Sequence, residues 1–206
     1  MRLIARAAVI AAGLALVAMS STSAAWAQQP SRLRGQIEKA DGAMLTLKTR
    51  DGGTLNVKLA DDARVAGLNK ATLADIKQDT FIGIAGMPEA DGTIKAFSIH
   101  IFLPAQRGVV ADRHGPWDAK AGSTMTNAYV GSQVASKDGE TLTVKYKEGE
   151  KKVIVGPDTV IQAVAPGNKD ELKAGAQIII MQSEKQADGS FLAKNVYVGR
   201  GLTPAM

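Results

Sequence analysis

A single spacing organises this sequence. Adding 97 to a position carries Gln36 to Gln133, Asp41-Gly42 to Asp138-Gly139, Leu45-Thr46 to Leu142-Thr143, Lys48 to Lys145 and Asp61 to Asp158. The same step carries Ala66 to Ala163, Ile82 to Ile179, Ala90 to Ala187, Asp91-Gly92 to Asp188-Gly189 and Ala96 to Ala193. Thirteen identities in one ungapped register predict two copies of one structural unit.

Each copy reads as strands. In the first, the alternating run Leu33-Gly35-Ile37 meets a turn at Asp41-Gly42. Then come Met44 to Leu47, a turn at Asp51-Gly52-Gly53, and Leu55-Val57-Leu59. Gly reaches positive φ without a steric penalty and Asp tolerates it, so paired Asp-Gly turns between alternating runs predict a three-stranded meander. From Asn69 to Gln78 the period of two is lost. Leu73 and Ile76 stand three apart behind Asn69 and Thr72, which predicts a short capped helix. The run Phe81 to Ile84, the turn at Asp91-Gly92 and the run Ile94 to Leu103 complete the copy.

In the second copy Val134, Leu142-Val144-Tyr146 and Val153-Val155 match the meander. Lys169 to Ala174 takes the place of the helical connector, and Ile178 to Met181 and Phe191 to Val198 close the unit. Three strands, a short helix and two strands is the element order of an OB-fold, a five-stranded Greek-key barrel. The expected fold is therefore all-β with minor helix: tandem OB-like barrels at 28–104 and 130–200, joined by a segment at 105–129 and followed by a tail at 201–206. A single ten-stranded sandwich is the alternative, and the helix-like connector favours barrels. Each copy is small enough to need packing against the other.

Ahead of the repeats, Arg2 and Arg6, the apolar run Ala7 to Met19, and Ala25-Trp26-Ala27 form the pattern of a secretory signal cleaved after Ala27. The apolar run falls short of the ~20 residues that cross a bilayer, and no later segment comes closer. This predicts a periplasmic chain with no transmembrane domain in its mature form; an uncleaved signal acting as an anchor is the alternative. Cleavage removes two arginines and no acid, lowering a formal charge of +5 to a mild excess that does not call for nucleic acid. With no cysteine anywhere, disulfides, thiolate ligands and lipid attachment at cysteine are absent.

Catalytic signatures are missing too. There is no G-x-S-x-G elbow, no phosphate-binding loop and no H-E-x-x-H helix. His100 and His114 are the only histidines, and no carboxylate pair is marked out by its spacing, so an enzyme is not expected. The Asp-Gly pairs lack the calcium-loop pattern and sit where hairpins need turns. Oligonucleotide binding, a common use of the OB-fold, would need aromatic platforms and a basic groove that this chain's few aromatic residues and mixed charge do not supply.

The stretch Pro104 to Tyr129 has no counterpart in either copy and carries Arg107, Asp112, Arg113, His114, Pro116, Trp117, Asp118, Met125 and Asn127. A flexible linker would be small and polar. This composition predicts an ordered clasp, with Trp117 buried between the barrels, His114 and Asp118 satisfying backbone groups, and Ser123, Thr124, Thr126 and Asn127 making turn or cap bonds. His114, Trp117, Asp118, Met125 and Asn127 are accordingly the candidate ligand-binding residues. A second reading is a copper site, since imidazole and thioether suit a soft metal and Trp117 could lie against it. His114, Met125 and His100, the last on the outward parity of its strand, would be the ligands.

The segment Arg107 to Asp118, read as R-G-x-x-x-x-R-H-x-P-W-D, is followed by G-S-T-M-T-N-A at Gly122 to Ala128. Together with the duplicated OB-like unit, these motifs resemble an exported proteobacterial family of a domain of unknown function whose members are often labelled metal ABC transporter permease. The resemblance covers most of the mature chain and implies a periplasmic β-barrel protein; it brings no reaction and no binding residues. A permease label conflicts with the absence of membrane spans. The sequence thus leads to a non-enzymatic periplasmic protein that binds a small ligand or partner protein or plays a structural role, needing no cofactor. The alternatives are a copper-binding accessory protein and an uncharacterised enzyme.

Overall fold

The computed structural model describes residues 31–136 and 139–205, so the export signal read at 1–27 and Asp138 of the second-copy turn lie outside it. Eleven strands follow one another: β1 (Ser31–Asp41), β2 (Met44–Thr49), β3 (Thr54–Lys70), β4 (Phe81–Pro88), β5 (Ile94–Ile101), β6 (Arg113–Pro116), β7 (Thr124–Ser136), β8 (Gly139–Tyr146), β9 (Gly149–Pro166), β10 (Gln177–Lys185) and β11 (Phe191–Gly199). Helix is confined, among the described residues, to single 3₁₀ turns at Leu73–Asp75, Pro104–Gln106 and Lys169–Glu171. Of the two expected caps, Thr72 is the one used: its backbone N–H and hydroxyl both donate to Asp75 Oδ2, at 2.8 and 2.9 Å. None of these helices is long and apolar enough to cross a membrane.

The hairpin turns are those the Asp-Gly pairs predict. Gly42, Gly92 and Gly189 have φ of 58°, 84° and 84°. Asp91 Oδ1 accepts from Thr93 N at 2.9 Å, and Asp188 Oδ1 accepts from Ser190 N at 2.9 Å. These carboxylates close their own turns, and the hydrogen bonds hold both below the usual carboxylate range.

Strand pairing closes two five-stranded barrels, but neither closes within 28–104 or 130–200. In the first, β1 pairs with β2 and β2 with β3; β3 then runs parallel to β11, β11 pairs with β10, and β10 returns to β1. The second joins β7, β8 and β9 to β5 and β4 through a parallel β5–β9 pair and an antiparallel β4–β7 pair. Each barrel has the OB pairing scheme, with a meander from one repeat and a hairpin from the other. The expected ranges therefore mark the sequence repeats rather than the barrels.

The reason lies in β3 and β9. The sequence pattern marks only Leu55–Leu59 and Val153–Val155 as third strands, whereas the strands continue to Lys70 and Pro166. Their extensions pair antiparallel, Ala66 opposite Pro166 and Lys70 opposite Gln162. Each therefore leaves its own barrel and delivers the chain to the other. The connector after β3 then plugs the second barrel, with Ile76 in that core and Val130 N donating to Thr80 O at 3.0 Å. The connector after β9 plugs the first, through Leu172 and the bond from Gly175 N to Ile37 O at 2.8 Å.

Inward positions alternate along the strands. Leu45, Leu47, Val57, Ile178, Ile180 and Val196 fill the first barrel; Ile82, Ile84, Ile99, Leu142, Val144 and Val153 fill the second. A fully buried side chain of this size contributes about 2 kcal/mol of transfer free energy. The packing also refines the repeat. Ile82 is in a barrel core, but Ile179, its partner at a step of 97, faces outward, and Ile178 takes the core position. From the start of β3, where Val57 and Val153 hold matching core positions, to the bulge in β4, equivalence in space therefore runs one residue short of the sequence step. The register shifts at Ala85/Gly86 and Ile180/Gln182 accompany this offset.

Candidate functional site

A third apolar cluster lies between the barrels, where Leu68, Ala85, Trp117, Met125, Val164 and Ile179 meet outward-facing residues of both sheets. Beside the β3–β9 pairing, the unmatched segment adds a second link between the two sides. Strand β6 pairs with β7 of the second barrel, placing Arg113 opposite Asn127, His114 opposite Thr126 and Gly115 opposite Met125. Just beyond it, Trp117 is only 9% exposed and lies beneath Arg32 of the first barrel, whose guanidinium carbon is 4.0 Å from the ring centroid. Asp118 pairs with Arg34 at 2.7 Å and with Arg32 at 3.6 Å. Burial tends to raise the Asp118 carboxyl, but the Arg34 hydrogen bond and the charges of Arg34 and Arg32 outweigh it and hold the group below its usual range.

The loop is tied to itself as a clasp would be. Trp117 N donates to Ser123 O at 2.8 Å, Ser123 Oγ donates to Lys120 O at 2.7 Å, and Asn127 Nδ2 donates to Ala111 O at 3.1 Å. His114 Nδ1 is 2.8 Å from Thr126 Oγ1, and burial, then Lys151, lower its pKa against the opposing charge of Glu148.

Between segment and barrels runs a cleft of about 1080 Å³. Its lining includes four of the five candidate ligand residues: His114, Trp117, Met125 and Asn127. Asp118 is outside it, engaged with the two arginines. Met181, Arg32, Arg64 and Arg113 also line the cleft, and no Asp or Glu is among its described walls. Two buried donors on lining residues, Arg32 Nε and Trp117 Nε1, find no acceptor.

The copper set does not converge. Paired residues share a face and neighbours along a strand alternate, so the register puts His114 with Thr126 on one face of the β6–β7 ribbon and Met125 with Gly115 on the other. His100 is elsewhere. Its outward parity is as expected, but the outer face of β5 is covered, and the side chain is fully buried with Nε2 3.0 Å from Gln162 Oε1. Among the described residues, no three of His, Asp and Glu gather at a metal-holding spacing.

The Gln162 amide is oriented by the chain's last residues: its Nε2 donates to Thr203 O at 2.9 Å and its Oε1 accepts from Ala205 N at 3.2 Å. An amide oxygen only accepts, so His100 carries its proton on Nε2 and presents a bare Nδ1 with no partner. Burial pushes this imidazole down to about 4, against a smaller upward effect of the Gln162 bond.

Sequence reasoning missed Arg32, Arg64, Met181, Gln182 and Asn195 as cleft residues. The parity of Leu33, Gly35 and Ile37 does place Arg32 and Arg34 on the outside of β1. What covers that face is not a local property.

No protein-family model matches the chain, and neither the curated proteins nor the solved structures hold a significant match. The class defined by fold and site is an all-β chain of closed five-stranded barrels with a cleft beside the connecting segment.

Proposed function

We propose that the chain is a non-enzymatic binding protein of the periplasm whose ligand occupies the cleft between the barrels and the connecting segment. The observation that carries this reading is the cleft itself: a concave site of about 1080 Å³ whose walls mix apolar side chains with arginine, amide and histidine groups, built where two barrels and the connecting segment meet. Export is supported by the pattern at Arg2 to Ala27.

A neutral apolar dye such as Nile red tests the site. The purified protein is expected to bind it with enhanced fluorescence, and Ala105→Trp, which fills an exposed position on the lining, is expected to abolish the signal. Ala187→Trp, in the exposed β10–β11 turn, is the control and is expected to leave it unchanged. Equal binding by both variants would remove the cleft as the site. Export is checked by N-terminal sequencing of protein from the osmotic-shock fraction, which is expected to begin at Gln28.

A further inference from the structure

Resting on the binding role of this cleft, the charge on its walls identifies a ligand class. Arg64 on β3 pairs in register with Asn195 on β11, and Arg113 on β6 with Asn127 on β7. Paired residues share a face. The first barrel and the β6–β7 ribbon therefore each offer the cleft an arginine beside an amide, and all four residues line it. Neither Arg64 nor Arg113 has an ion-pair partner among the described residues. Arg32, the third arginine, shares Asp118 with Arg34. With no carboxylate on the described walls, nothing there neutralises the other two.

A guanidinium presents a planar fork of N–H donors suited to carboxylate or phosphate oxygens. Two such groups beside low-dielectric walls favour an anion and disfavour a cation. The remaining lining mixes the polar groups of Gln106, His114, Gln182 and Tyr197 with an adaptable apolar portion, Met125, Met181, Phe102 and Val164, and Val109 is 73% exposed. Thioether side chains repack around irregular apolar shapes. We propose that the cleft takes a single-chain organic anion, its carboxylate or phosphate head held by Arg64 and Arg113 and its apolar chain lying along the methionine-lined wall.

Calorimetric titration of the purified protein separates the possibilities. The probes are dodecanoate, dodecyl phosphate, dodecanol and dodecyltrimethylammonium, each below its micellar concentration. Either or both anions are expected to bind at least about tenfold more tightly than the alcohol or the cation, and the preferred head tells a free carboxylic acid from a phosphate monoester. Raising sodium chloride from about 50 mM to about 300 mM is expected to weaken the anions severalfold and leave dodecanol unchanged. Arg64→Glu combined with Arg113→Glu is expected to abolish the preference with the melting temperature retained. If that variant fails to fold, the salt series on the unaltered protein carries the test. Equal affinity for all four probes, with Nile red still bound, would overturn the anion assignment and leave the binding cleft standing. Failure of every probe and of the dye would overturn both.

Discussion

His100 makes the fold acid-sensitive in a window that few other groups share. The ordinary imidazole pKa is 6.5, and burial lowers it to about 4 in the folded protein. A lowered histidine pKa means that the unfolded chain binds the proton more readily, so stability is fully present above pH 6.5 and falls as the pH drops toward 4. The difference of about 2.5 units corresponds to about 3 kcal/mol at the acid limit, of which about 2 kcal/mol is lost between pH 6.5 and 4.5. The geometry agrees: protonation would put a hydrogen on Nδ1, which has no acceptor, while Nε2 is already committed to Gln162. The shifted carboxyls of Asp51, Asp75, Asp91, Asp118, Asp188 and Glu171 are all lowered and act at more acid pH. Among the described residues with a shifted pKa, only His114 shares the window, and its lowered pKa gives a contribution of the same sign. The assay is urea denaturation at intervals from pH 6.5 to 4.5 for the unaltered protein, His114→Gln and His100→Gln. His100→Gln is expected to remove most of the slope and His114→Gln little of it, whatever either substitution costs at neutral pH. Equal slopes for His100→Gln and the unaltered protein would refute the reasoning.

Trp117→Ala should cost about 3–5 kcal/mol and lower the melting temperature by about 10 °C, because it empties the layer beneath Arg32; a change under 2 °C by calorimetry would rule out the clasp. Asp118→Asn loses a half-exposed pair with Arg34 and should cost only about 0.5–1 kcal/mol, a difference that closes at high salt in denaturant melts. Residues 31–104 expressed alone hold one meander and the other barrel's hairpin, so they should give no monomeric β-sheet signal by circular dichroism and size exclusion, whereas mixing them with 105–206 should restore it. Anaerobic Cu(I) should leave both melting temperature and indole fluorescence unchanged, since His114 and Met125 face opposite sides of their ribbon; a quench lost in His114→Ala would contradict that register.

Local pattern reached far into the fold. Alternation at Leu45, Leu47 and Val57 and the Asp-Gly turns are short-range properties, because side chains point to opposite faces every residue and a turn's φ is set by the residues within it. Thr72 marks its connector in the same way, whereas the pattern did not single out its partner Asp75. The inter-barrel residues were legible in part. Trp117 and His114 stood out because the unmatched segment holds so few aromatic and imidazole groups, whereas Arg64 and Asn195 read as ordinary solvent-facing positions of repeated strands. They become cleft residues only when the second barrel and its clasp cover their face.

By itself the sequence determined an all-β chain with a 97-residue internal repeat, the order of the strands within the repeats, the residues that turn them and the segment that interrupts the repeat, though not the short strand β6 within that segment. Tertiary structure alone decided which hairpin completes which meander. Two copies of one unit present equivalent strand edges and equivalent cores, so a hairpin satisfies the local pattern of either barrel, and periodicity cannot choose between them. The choice is made by β3 and β9, whose extensions pair with each other from Ala66 to Lys70 and carry each chain segment across to the other barrel. That crossing also brings the two outer faces together, and with them the arginines, methionines and tryptophan of the cleft.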